Sequence, residues 1–229
     1  TTGAFDTIGA TLSGDFGTLG MGNSEQGDAY ETATDVTPEE AAFSISKTDT
    51  TAYNGTNDKV RPADAHVAKS TISYTTPSMS GLTVSAGMTD TAAYNDATSM
   101  GAQYVMSAGT GSVTLKYAAS STGATTSGGT DEIDATSAGV VLAMGAATLT
   151  VADNTVSYGT TTDYSASSAG ITYVVSDQLT LSAYTGETED GKDAAYKFSD
   201  TGVGAVYTVV PGMTVGITHN SWDWHESSN

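Results

Sequence analysis

The stretch GLTVSAGMTD, residues 81–90, decides the class of fold. Leu82, Val84, Ala86 and Met88 alternate with Thr83, Ser85, Gly87 and Thr89 without a miss. A period of two marks an extended strand with one apolar face and one small or polar face. Two architectures use such a strand. In a soluble sandwich the apolar face covers a core, whereas in a membrane barrel it meets lipid and the polar face lines a lumen.

The same alternation recurs along the chain. SVTLKYA puts Val113, Leu115 and Tyr117 opposite Thr114 and Lys116, and MTVGITHN puts Met213, Val215 and Ile217 opposite Thr214, Gly216 and Thr218. Turn signals separate these segments at SGDFG, TPSMSG, AGTGS, MGAAT, VSDQ and VPGM, each flanked by alternating residues as in a β-hairpin. Between the tight turns lie polar stretches without periodicity, starting at Thr89, Ser120, Asn154 and Gly186. Short and long connections therefore alternate. In an up-and-down sheet this places short turns at one end and long loops at the other, as in outer-membrane barrels.

Twelve strands are expected, near residues 4–13, 16–22, 68–76, 81–90, 99–108, 112–119, 137–144, 147–154, 165–175, 179–186, 200–210 and 213–222. A strand of about ten residues at a tilt near 40° spans roughly 25 Å, the height of a membrane band. The expected fold is all-β: a transmembrane antiparallel up-and-down β-barrel, one domain over residues 1–229.

Composition narrows the function. Twenty-six acids against seven bases give a formal charge of −19, which excludes nucleic acid as a partner, because phosphate contacts need clustered Lys and Arg. With no cysteine there are no disulfides or thiolate metal sites. Three scattered histidines (His66, His219, His225) make no zinc site, and no serine is set apart beside a histidine, so an enzyme is not expected. No cofactor is implied. The carboxylates of TEDGKD (188–193) and DEID (131–134) suit calcium but match no EF-hand loop, so any calcium there would be adventitious.

One connection breaks the rhythm. Residues 23–68 separate two strands by about 46 positions, and a segment that long inside a compact domain is usually functional or disordered. It carries nine acids, Glu25, Asp28, Glu31, Asp35, Glu39, Glu40, Asp49, Asp58 and Asp64, with Lys47, Lys59 and Arg61 in its second half and Lys69 just beyond. TPEEAAF (37–43) is suited to start a short helix, with Pro38 in the first turn followed by two acids.

At this point the chain resembles a known family. GAFDTIGATLSGDFGTLGMGNSEQGDAY (3–30) is similar to a strand–turn–strand of the Gram-negative general porins. STISYTTPSMSGLTVSAGM (70–88) and GAVYTVVPGMTVGITH (204–219) are similar to later porin hairpins. The resemblance implies a homotrimer of sixteen-stranded barrels in the bacterial outer membrane, seated among its lipids and passing small hydrophilic solutes and ions passively. It implies that 23–68 folds into the lumen as the constriction loop, its acids facing bases on the barrel wall. Asn23 stands where family members carry a wall arginine, and Lys116 is a wall base. With so few bases, cation preference is expected, since rings of carboxylates favour cations. The family has about three earlier strands and a closing strand with a C-terminal aromatic, so an incomplete barrel is expected here. External loops are the segments a phage would use as a receptor.

The alternative is a soluble extracellular β-rich protein of the surface, adhesin or phage-decoration type, whose composition would look much the same. A narrow, substrate-specific barrel is a third reading. It would need aromatics along the lumen, and no such stripe stands out in the sequence.

Overall fold

The computed structural model describes residues 9–22, 72–91, 94–122, 133–158, 162–190 and 196–226. They form one sheet of twelve antiparallel strands in chain order, and among the described residues there is no helix. The strands are β1 (Gly9–Gly14), β2 (Gly17–Gly22), β3 (Ile72–Thr75), β4 (Leu82–Thr91), β5 (Tyr94–Ala108) and β6 (Gly111–Thr122). They continue as β7 (Ile133–Met144), β8 (Ala147–Tyr158), β9 (Thr162–Val174), β10 (Leu179–Asp190), β11 (Tyr196–Val210) and β12 (Met213–Glu226). Each strand pairs with its chain neighbours only; β1 and β12 do not pair, so the sheet is not closed.

The tight turns lie at one end, as the sequence predicts. At the β3–β4 turn, Gly81 has φ +92°, and a Cβ there would run into the carbonyl of Val105, so only glycine fits. At the opposite end the sequence reading needs correction. β5 to β12 run farther than expected, into stretches read above as loops, including Thr188–Asp190 of TEDGKD, and β12 continues past residue 222 to Glu226. Those stretches are mostly polar and carry no apolar alternation that runs through them all. What holds them extended is the ladder to the neighbouring strand, which local sequence does not display.

Burial answers the question raised by residues 81–90. The buried residues are small or polar: Ser73, Ser85, Ala118, Ala135, Ser137, Thr150, Ala152 and Asn154. All lie on one face of the sheet. The other face presents Leu12, Ile72, Val84, Met88, Met100, Leu115, Val140, Leu149, Val151, Ile171, Leu181, Val203, Val215 and Ile217, all exposed. A water-soluble sandwich would bury this second set. A contiguous apolar surface of this extent marks contact with another apolar phase, and a polar interior behind it is the arrangement of a transmembrane barrel.

Register shows that the apolar surface is a level band crossed by tilted strands. One hydrogen-bonded row runs Tyr117–Ala138–Asp153–Ser167–Glu187–Ser199–Asp223, from β6 to β12. On β6 the row meets Tyr117, the last large apolar residue of that face. On β12 the corresponding residue is Ile217, six positions below Asp223. The band thus slips by about one residue per strand. At about 3.3 Å per residue and 4.8 Å between strands this is a tilt of about 35°, within the range of membrane barrels. Beyond the band, the same face turns to Thr136, Asp153, Thr155, Glu187, Ser199 and Asp223, which belong in water.

Candidate channel wall

The inner wall is built by the small-residue alternation. On β6, Lys116 lies on this face with Gln103 of β5 and Gly139 of β7 directly across from it. The adjoining positions on its strand are Thr114 and Ala118, so its neighbours are small and it stands above a low floor. Ser137 and Ser168 are on the same face, and neither hydroxyl has a protein hydrogen-bond partner.

Farther along the sheet the wall changes character. Tyr184 of β10 lies across from Gly170 and Gly202, and Gly202 lies across from Asn220. A Cβ at position 202 would collide with the Tyr184 ring and come within 2.8 Å of Asn220 Oδ1. Glycine here lets an aromatic ring lie across the neighbouring strand. Tyr184 is not singled out by the sequence reading. The signal was available by counting in twos: Leu181 and Ala183 share the outer face, which leaves Tyr184 on the inner one.

On the outer face above the band, Lys197 of β11 pairs with Glu187 and Glu189 of β10, its Nζ 3.0 Å from Glu189 Oε1. Thr136 and Thr155 share a hydroxyl–hydroxyl bond of 2.6 Å across β7 and β8. These contacts belong to the watery part of the strands. Neither faces the inner wall.

Of the residues expected to form the site, the structure places Lys116 alone. Asn23, Glu25, Asp28, Glu31, Asp35, Glu39, Glu40, Lys47, Lys59, Arg61 and Lys69 lie outside the described residues, as does the expected short helix at 37–43.

Comparison with known proteins points one way. The model of the Gram-negative porin family matches residues 1–222. A porin structure refined at 1.8 Å superposes with a TM-score of 0.63 at 16% identity, covering 93% of this chain and 75% of that one. OmpT of Vibrio cholerae, expressed in the outer membrane, gives 0.65 at 14% identity over 95% of this chain and 70% of its own. A trimer form of OmpT folded in vitro gives 0.58 at 13% identity over 93% and 69%. Among curated proteins no sequence matches.

Proposed function

The chain belongs to the Gram-negative porin family, which places it in the bacterial outer membrane, and on that premise we propose that it forms a water-filled channel for passive diffusion of small hydrophilic solutes and ions, with cations preferred. The observation that carries this reading is the inverted burial pattern. Small and polar side chains are enclosed on one face, while an aliphatic band faces outward on the other. A channel wall and a lipid-facing wall need those two surfaces.

Cation preference rests on charge. The chain has 26 acids and seven bases, and nine of those acids fall within residues 23–68, the proposed constriction loop. Fixed carboxylates along a narrow pore raise the local concentration of cations and exclude anions. Assembly as a homotrimer is part of the proposal, in keeping with the trimer form of the structurally similar OmpT.

Reversal potential across a planar bilayer with a salt gradient tests the reading. Stable conductance steps with a cation-selective potential are expected, and Glu39→Gln with Glu40→Gln should reduce that selectivity. Correctly folded protein that inserts no conductance would overturn the channel. An anion-selective potential would overturn the charge argument while leaving the channel.

A further inference from the structure

One row of the inner face runs from β5 to β12 as Val105–Thr114–Val141–Thr150–Gly170–Tyr184–Gly202–Asn220. Among the described side chains of that face, Tyr184 is the one aromatic. Its neighbours there are small: Ser182 and Gly186 along β10, and the buried Gly170 and Gly202 directly across. The ring is therefore the largest group on this part of the wall, and where it rests decides how far the wall reaches inward.

The backbone gives no reason for glycine at 202. The residue lies inside β11, away from the turns, and is not among the glycines with positive φ. Gly17, Gly81 and Gly111 stand where a Cβ would strike a backbone carbonyl oxygen, of Thr75, Val105 and Ala143 respectively. At Gly202 the three nearest atoms all belong to side chains: Cε1 of Tyr184, its Cζ at 2.7 Å and Asn220 Oδ1 at 2.8 Å. Ordinary carbon–carbon contact is about 3.5–4.0 Å, so a methyl group here would push the ring by on the order of 1 Å. The strands can stay in place while it moves. With the sheet beneath the ring and Asn220 beyond it, the open direction is off the wall.

Resting on the channel reading above, we propose that Gly202 is a positioning residue for Tyr184, and that the ring seated over it sets the size limit of the pore for uncharged hydrophilic solutes. Glycine inside a strand weakens it and marks a place where another group approaches closely; here that group is the ring. Pore diameter is one of the terms that decide which solutes pass. Moving the ring changes the width and adds no charge, so its effect falls on solute size and not on the choice between cations and anions.

Swelling of liposomes that carry the full chain, measured with arabinose and with raffinose, tests the size limit. Relative to the parent, Gly202→Ala should lower the raffinose-to-arabinose rate ratio roughly twofold or more, and Tyr184→Ala should raise it by a similar factor. Adding Gly202→Ala to Tyr184→Ala should change nothing, because no ring is left to displace. A ratio unmoved by Gly202→Ala overturns the proposal. So does an equal fall in the Tyr184→Ala background, which would assign the effect to the methyl group itself. The seat has a readout that needs no transport: nitration of Tyr184 by tetranitromethane in detergent-folded protein, located by mass spectrometry. It should be faster in Gly202→Ala than in the parent, and an unchanged rate overturns the seat. Liposomes that swell with a ratio indifferent to Gly202→Ala keep the channel and lose the size limit. A parent that admits neither sugar, with Tyr184 nitration still faster in Gly202→Ala, keeps the seat and loses the channel.

Discussion

Lys197 stands directly across from Glu189 on the outer face of the sheet, on the loop side of Val203, the last aliphatic position of β11. The pair is half-exposed to exposed and lies outside the apolar band. Exposed ion pairs gain little, because water and salt screen them. Lys197→Gln should therefore leave the urea midpoint of detergent-folded protein nearly unmoved, and raising the salt should erase what difference there is. A strong stabilisation by Lys197→Leu would instead place this row in lipid and raise the water boundary by about six residues on β11.

The band itself makes a sharper demand. Leu149 of β8 has Leu142 and Ile171 on either side and lies near mid-height, whereas Thr155 is on the same strand and face beside Thr136 and Ser165. Leu149→Arg should cost about 2–4 kcal/mol in lipid vesicles and Thr155→Arg about 0–1 kcal/mol. Equilibrium unfolding in urea measures both. Equal penalties would mean that the face meets no hydrocarbon.

Much of this was legible in the sequence because alternation carries face information directly. Residues 81–90 separate Leu82, Val84, Ala86 and Met88 from the residues that the fold encloses, and Ser85 is indeed buried while Val84 is exposed. The upper ends of β5 to β12 were not legible, because they are mostly polar and no apolar alternation runs through them all. Register was hidden for a different reason: the row from Tyr117 to Asp223 accumulates over six successive pairings between neighbouring strands, and no single strand displays it. The expected constriction residues from Glu25 to Lys69 lie outside the described residues.

Two turn glycines separate strain from collision. Gly81 and Gly109 both have positive φ, +92° and +60°, but a Cβ at 81 meets the Val105 carbonyl while a Cβ at 109 meets nothing within 4 Å. Gly109→Ala should cost about 1–2 kcal/mol, the strain of a side chain in the left-handed region. Gly81→Ala carries that strain and must also move β5 backbone, so its denaturation midpoint should fall well below that of Gly109→Ala. Matching midpoints would show that the β3–β4 turn shifts freely and does not set the register of β5.

Lys116 offers a test of the inner wall within the described residues. It shares its face with Gln103 and Gly139, and it sits on β6 one residue below Tyr117, the upper edge of the lipid band. A charge at this height on a conducting wall acts on passing ions through a poorly screened path. Lys116→Glu should shift the reversal potential further toward cation selectivity, and Lys116→Gln should shift it about half as far. Neither change removes an apolar contact from the outer face, so the urea midpoint should stay within about 1 kcal/mol of the parent. A selectivity that ignores both substitutions, in protein that still conducts, would mean that ions do not pass along the β6 wall.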